Sequence, residues 1–127
     1  MKEGDIVLAN LPQVDAATKR RPVLLLRELP SFGDFLVCGI STQLHQAVTG
    51  FDEIISRSDD DYQSSGLLAP SVVRLNYLGV VARHCIPGKI GSIHKSRYRR
   101  LIENLSRHLL AAIAEEASGD SESDTCA

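Results

Sequence analysis

The stretch KRRPVLLL, residues 19–26, places two adjacent arginines directly before a proline and a run of aliphatic residues. Proline restricts the residue before it to extended conformations, so Arg21 takes a defined direction relative to the strand that follows. A planar guanidinium held in this way presents paired N–H donors that suit phosphate oxygens. Lys19 and Arg20, on the loop side, are candidates for contacts to a phosphate backbone. The alternative interpretation is a charged loop that serves only solubility.

A second group of polar residues, Ser41, Thr42 and Gln43, follows an apolar run. Hydroxyl groups at a strand end can donate hydrogen bonds to an anion, although they commonly bond to their own backbone. No G-x-S-x-G motif surrounds Ser41, which argues against a serine-hydrolase nucleophile. Further along, Arg74 interrupts the run VVRL and points to the opposite face from Val73. It is either a third anion-binding group or a solvent-facing strand residue.

Metal and cofactor chemistry finds no support in the sequence. The four histidines and three cysteines show no HExxH, CxxC or CxxH spacing, and Cys38 lies in an apolar run that indicates the core. The three consecutive aspartates at 59–61 lack the alternating ligands and the final glutamate of a calcium loop, so we expect a solvated turn there. We therefore expect neither a metal nor a cofactor.

Composition indicates a soluble protein, with 43% apolar and 24% charged residues in a chain of 127. No apolar stretch approaches the ~18 residues of a membrane span and no signal peptide is evident, so we expect a cytoplasmic protein without a membrane partner. All 14 Lys and Arg lie between Lys2 and Arg107, whereas five of the 16 acidic residues follow Ala114. The expected organisation is a single, mildly basic domain over residues 1–117 and a disordered acidic tail over 118–127. Low aromatic content, 5% without Trp, argues against a broad base-stacking platform.

Hydrophobic periodicity predicts several short strands followed by one helix. The strands are expected at residues 6–11, 22–27, 34–41, 51–55, 71–78 and 80–86, with a bend or bulge at Gly79 and a last edge strand at 89–91. From residue 95 onward, apolar residues recur every three or four positions, which predicts an amphipathic helix with Arg97, Arg99 and Arg100 on its outer faces. These elements predict a mainly β, α+β fold: a small, bent antiparallel barrel of five to seven strands with a C-terminal helix.

Taken in order, these segments resemble the MazF/PemK family of toxins from bacterial type II toxin–antitoxin systems. The resemblance rests on the stretches GDIV at 4–7, RRPVL at 20–24, GISTQ at 39–43 and SVVR at 71–74, and it extends over residues 2–113. It implies a small SH3-like barrel that forms a homodimer. It further implies a ribosome-independent, metal-independent endoribonuclease that cuts single-stranded mRNA at short sequences, and a cognate antitoxin protein that lies across the RNA groove.

The resemblance also assigns roles to single residues. The candidate catalytic residues are Arg21, which matches the arginine before the proline, Ser41, which matches the Ser/Thr ending the third strand, and Arg74, which matches the arginine of a V-V-R-x-D pattern. The acid of that pattern is Asn76 here and the following glutamine is Tyr77, so a mechanism with a carboxylate base at this position is in doubt. The candidate substrate-binding residues are Lys19, Arg20, Thr42, Gln43 and Asn76.

The implied chemistry needs little from the protein, because RNA cleaves when its 2′-OH attacks the adjacent phosphorus and leaves a 2′,3′-cyclic phosphate and a 5′-OH. The protein aligns the groups, stabilises the added charge and helps to move protons. Two other functions stay open: a gyrase-inhibiting toxin of the CcdB type, and a non-catalytic SH3-like binding module, which Asn76 favours. Arg21 and Ser41 together favour the nuclease, because a pure binder requires neither.

Overall fold

The computed structural model describes residues 1–11 and 20–118, and its described part is built from short strands and one long helix. The strands are β1 (Asp5–Asn10), β2 (Arg20–Glu28), β3 (Phe35–Ser41), β4 (Glu53–Ile55), β5 (Ser71–Val81) and β6 (Lys89–Ser92). The helices are α1 (Tyr62–Ser65) and α2 (Lys95–Ser118), and 3₁₀ turns occupy Leu44–Gln46 and Arg83–Cys85. The expected tail over 118–127 lies outside the described residues except for Ser118.

The strands of the described residues form one antiparallel sheet in the order β4-β5-β3-β2-β1-β6. The sheet curls into a half-barrel, and α2 packs on it. This confirms the predicted mainly β architecture with a C-terminal helix, and β6 confirms the predicted last edge strand. The expected strand at 80–86 is wrong in its second half, because residues from Arg83 to Cys85 form a 3₁₀ turn.

Strand β2 is buried on both faces, which explains the uninterrupted aliphatic run after Pro22. Leu24 and Leu26 belong to a core cluster between the sheet and α2, whereas Val23 and Leu25 belong to a second cluster on the other face. All four side chains are fully buried. A strand covered on both sides needs apolar residues at every position rather than at alternate ones. The charged residues at its beginning are therefore tied to a rigid part of the sheet.

Strand β5 carries an irregularity that the sequence placed elsewhere. Gly39 opposes Arg74 while its neighbour Cys38 opposes Leu78, so residues 75–77 have no partner in β3 and form a bulge. The bend predicted at Gly79 is wrong, since β5 runs through that residue. The Asp52 carboxylate stabilises the bulge: it accepts a hydrogen bond from the Leu75 N–H at 2.9 Å.

Helix α2 buries only the first part of its apolar face against the described residues. Leu101 and Leu105 are buried against the sheet, and the Tyr98 hydroxyl donates to the Leu26 carbonyl oxygen at 2.7 Å. Leu109 and Ile113, which continue the same face, are 61% and 64% exposed. None of the helices in the described part of the chain is both long and apolar enough to cross a membrane.

Arg97 overturns two of the sequence predictions at once. The helical periodicity predicts this residue on the outer face, yet it is only 7% exposed. Its guanidinium binds Asp61 through two N–H···O bonds of 2.7 and 3.0 Å and Asp59 at 3.0 Å, so the aspartate run is not a solvated turn. The remaining donors reach Glu53 at 2.9 Å and the Ile54 carbonyl oxygen at 3.1 Å. All five guanidinium N–H groups are thus satisfied, and they join α2 to β4 and to the loop before α1.

Candidate functional site

A cleft of about 690 Å³ opens at the end of the sheet where β1 and β3 end and β2 and β5 begin. In an antiparallel sheet the last residues of β1 and β3 and the first residues of β2 and β5 lie at the same end of the sheet, although they are distant in sequence. Five of the candidate residues line this cleft together: Arg21, Ser41, Thr42, Gln43 and Arg74. Its volume lies within the range of small-molecule and cofactor sites in proteins.

Strand register explains why the two arginines point the same way. Val23 opposes Gly39, and Gly39 opposes Arg74, so the three residues form one row across β2, β3 and β5. Directly opposed residues share a face of the sheet, and so do residues two apart along a strand. Arg21, two residues before Val23, therefore lies on the same face as Arg74.

The charged side chains of the cleft are all positive among the described residues. Among the described residues that line it, Arg21 and Arg74 are the only charged ones, and no Asp, Glu or His joins them. Neither arginine forms an ion pair within the described residues. Arg74 is half-buried, and its Nε–H is fully buried without an acceptor there. An unsatisfied buried donor costs free energy, and the cleft that Arg74 lines has positive but no negative side chains among the described residues, which suits it to an anion.

The Ser41 hydroxyl forms the local backbone bond and keeps a hydrogen that it can donate. Its Oγ accepts a hydrogen bond from the Gln43 N–H at 3.0 Å, which is the local backbone bond expected of a strand-end serine. A hydroxyl that accepts through its lone pair still carries a hydrogen to donate. Within the described residues this hydrogen has no acceptor, so Ser41 is available to donate to an anion beside the two arginines.

Two of the predicted substrate-binding residues that the structure describes, Arg20 and Asn76, do not line the cleft. Arg20 is exposed at the start of β2 and opposes Asn10. Asn76 belongs to a separate cavity of about 450 Å³, which it shares with Asn104, Arg107 and His108. The β5 bulge turns Asn76 away from Arg74. Lys19 lies outside the described residues.

Sequence reasoning missed the walls of the cleft. Its apolar lining includes Leu8, Leu11, Leu67, Leu68 and Ile90, and its one aromatic side chain among the described residues is Tyr77. Leu68, which is 94% exposed at the rim, follows Gly66, whose φ of +73° ends α1. A Cβ at Gly66 would overlap the carbonyl oxygen of Ile90, so glycine permits this close approach to β6. The apolar and turn-forming character of residues 66–70 was the available signal.

Metal-dependent chemistry has no ligand set in the part of the chain that the structure describes. No group of three or more His, Cys, Asp or Glu side chains there is arranged to hold an ion. Cys38 is fully buried, and this burial raises the pKa of its thiol far above the usual range. A buried neutral thiol is inert, so Cys38 contributes packing rather than reactivity.

The fold and the cleft define a small curled β-sheet protein in which two arginines and a strand-end serine line a cleft at one end of the sheet. The model of the family described as "PemK-like, MazF-like toxin of type II toxin-antitoxin system" matches residues 2–116. The chain belongs to this family.

Solved structures agree with this assignment. The Mycobacterium tuberculosis toxin MazF-mt6 is similar with a TM-score of 0.59 at 26% identity, covering 83% of this chain and 95% of the other. An endoribonuclease in complex with its cognate antitoxin from a mycobacterial species has a TM-score of 0.63 at 12% identity, covering 86% and 94%, and shows the shared fold. Among curated protein sequences, no match was found.

Proposed function

We propose that this toxin is a metal-independent endoribonuclease that cuts single-stranded mRNA through attack of a ribose 2′-OH on the adjacent phosphorus. The observation that carries the proposal is that the cationic and hydroxyl side chains of the cleft have no acidic partner among the described residues. Two guanidinium groups and the Ser41 hydroxyl converge there, and none of the three has an anionic partner within the described residues. The similarity to a solved endoribonuclease supports the same reaction class.

In the proposed reaction the 2′-oxygen forms a bond to phosphorus while the bond from phosphorus to the 5′-oxygen breaks. The 2′-OH proton leaves to solvent, and the departing 5′-oxygen gains a proton, so the products are a 2′,3′-cyclic phosphate and a 5′-OH. Negative charge grows on the non-bridging oxygens in the transition state. Fixed donors aimed at that charge typically contribute about 3 kcal/mol each.

We assign the catalytic roles to Arg21, Ser41 and Arg74. Arg74 and Ser41 donate to the non-bridging oxygens, since both side chains line the cleft and the Ser41 Oγ accepts its local backbone bond with its own hydrogen still available. Arg21, exposed at the mouth, neutralises the phosphate and assists the leaving oxygen. Thr42 and Gln43 bind the flanking nucleotide, and Lys19 and Arg20 contact the phosphate backbone. Because the nucleophile is the 2′-OH, DNA should not be cut.

We also propose two protein partners. The first is a cognate antitoxin, as in the complex formed by the mycobacterial endoribonuclease. The second is another copy of this chain, because Leu109, Leu110 and Ile113 leave an apolar surface exposed on α2. An mRNA substrate implies that the protein acts in the cytoplasm.

The test is cleavage of a long RNA transcript in EDTA by the wild-type protein and by Arg21→Ala. We expect the wild type to cut at discrete sites and the variant to be slower by about 10²–10³-fold, the usual cost of removing one charge-stabilising donor. Arg99→Ala is the matched control, because Arg99 is exposed on α2 and lies outside the cleft. RNA left intact by the wild type, or equal cutting by Arg21→Ala, contradicts the proposal.

A further inference from the structure

Tyr77 lines the cleft from the bulge of strand β5. It is the last residue of the β5 bulge, and its ring borders the cleft next to the row that contains Arg74 and Gly39. The ring also packs against the core cluster on that face of the sheet. Its position is therefore anchored from below, while part of its surface stays exposed.

Gly39 provides the space for this ring. A Cβ at position 39 would lie 2.9 Å from Cδ2 and 3.3 Å from Cγ of Tyr77, closer than side-chain contacts allow. Without that Cβ, the ring packs directly on the backbone of β3. Any larger residue at position 39 would push the ring out of place, so Gly39 and Tyr77 act as a matched pair across the two strands.

The backbone that carries Tyr77 is held from the other side by Asp52. Its Oδ1 accepts from the Leu75 N–H and its Oδ2 from the Val48 N–H, both at 2.9 Å. A hydrogen bond to an ionised acceptor is stronger than one between neutral groups. The bulge is thus a fixed element rather than a loose loop, and Tyr77 is preorganised before any ligand arrives.

An anion site and an aromatic ring in the same cleft suit a single nucleotide, in which one ribose joins the phosphate to the base. We propose that Tyr77 stacks on the base of a nucleotide next to the cut phosphate and so helps to determine which RNA sites this toxin binds. This inference rests on the proposed function. Stacking on an aromatic ring is available to every base, and its strength differs with the base.

The test begins with the wild type, whose cut sites are mapped on a long transcript in EDTA. A short single-stranded RNA built around one site, with the 2′-OH at the cut position replaced by hydrogen, then binds without being cut. We expect Tyr77→Ala to bind this RNA about 5- to 150-fold more weakly, the range for loss of one stacked base. Tyr77→Phe, which keeps the ring, should stay within about threefold of the wild type.

Two further variants separate stacking from folding. Tyr77→Leu keeps an apolar side chain over Gly39 but has no flat ring, so it should fold and still bind weakly. Phe32→Ala removes an aromatic side chain that is 87% exposed outside the cleft, and it should bind like the wild type. Thermal melting of each variant shows that the fold is intact.

Abasic substitutions in the RNA identify the stacked position. One abasic site should weaken wild-type binding by the same factor as Tyr77→Ala, and should have little further effect on that variant. Equal abasic penalties in the two proteins, or unchanged affinity of Tyr77→Ala and Tyr77→Leu, would overturn the role of Tyr77 while RNA cleavage by the wild type still stands. A wild type that neither cuts nor binds RNA would remove the nuclease proposal and this inference together.

Discussion

The two groups of arginines in this protein differ in what surrounds them. Arg97 lies among three carboxylates and one carbonyl oxygen, and every one of its N–H groups has an acceptor. Arg21 and Arg74 lie in a cleft whose described lining has no acid, and the buried Arg74 Nε–H has no acceptor there. Arg97 lies on α2, whereas Arg21 and Arg74 lie on strands of the sheet. The N–H groups of Arg97 are all satisfied within the chain, whereas Arg21 and Arg74 have no acidic partner among the described residues.

This difference teaches how to separate structural from functional arginines. Burial alone would have singled out Arg97, which is the more buried residue. The search for N–H groups without an acceptor singles out Arg74 instead, because a native protein rarely leaves a buried donor unpaired without a reason. Substitution of the first group should cost stability, and substitution of the second should cost activity with little loss of stability.

The largest effect is expected for Arg97→Ala. It leaves Asp61 buried without its counter-ion, and breaking a buried pair in this way typically costs about 3–5 kcal/mol. Urea denaturation should show a much lower midpoint with a similar slope. A change below about 1 kcal/mol, the usual range for an exposed pair, would show that the cluster is not a structural tie.

The next effect is expected for Arg74→Met, which removes the guanidinium but keeps much of the aliphatic stem. RNA cleavage should fall by about 10²–10³-fold, because a donor to the transition-state charge is lost. The free energy of unfolding should stay unchanged or rise, since a buried unpaired Nε–H is also removed. If the variant loses stability and keeps its cleavage rate, Arg74 serves the fold rather than the reaction.

A smaller effect should appear in acid. Burial raises the pKa of Asp61, but the hydrogen bonds from Arg97 outweigh it, and the net result is a pKa below the usual carboxyl value. A depressed carboxyl pKa contributes stability above the unfolded value of about 4, and this stability is lost as the pH falls through the folded value. One such group changes the free energy of unfolding by at most ~1.4 kcal/mol per pH unit.

The measurement is urea denaturation of the wild type and of Asp61→Asn between neutral pH and pH 2.5. The variant starts less stable, and its free energy of unfolding should fall less steeply below about pH 4. Parallel curves for the two proteins would assign the acid sensitivity to other carboxylates, such as Asp5. Burial raises the pKa of Asp5, but its hydrogen bonds to Lys2 outweigh this effect and the net pKa is lowered.

The smallest effect is expected for Arg99→Ala. Arg99 is 80% exposed and pairs with Glu103 at 3.3 Å on the helix surface. Exposed pairs of this kind contribute about 0–1 kcal/mol. Both the melting temperature and the RNA cleavage rate should therefore remain close to those of the wild type, which makes this variant the reference for the three others.

The fold was largely predictable because its signals are local. The aliphatic run after Pro22, the apolar runs at residues 6–9 and 35–38, and the change of period near residue 95 each indicate an element by themselves. Arg97 was misplaced although a local signal existed: it stands four and eight residues before Leu101 and Leu105, on the same helical face. What no local pattern could reveal was that residues 59–61 supply its partners.

The candidate site divides in the same way. The sequence by itself determined the residue types, Arg21, Ser41 and Arg74, and the extended direction of Arg21 before Pro22. Only the tertiary structure decided that they share one cleft, because strand order and register are set by packing between distant segments. It also decided that Tyr77, and not Asn76, faces that cleft. Side chains along a strand normally alternate between the two faces of the sheet, and a bulge interrupts this alternation. The position of the bulge depends on Asp52 and Gly39, two residues that are distant from it in the sequence.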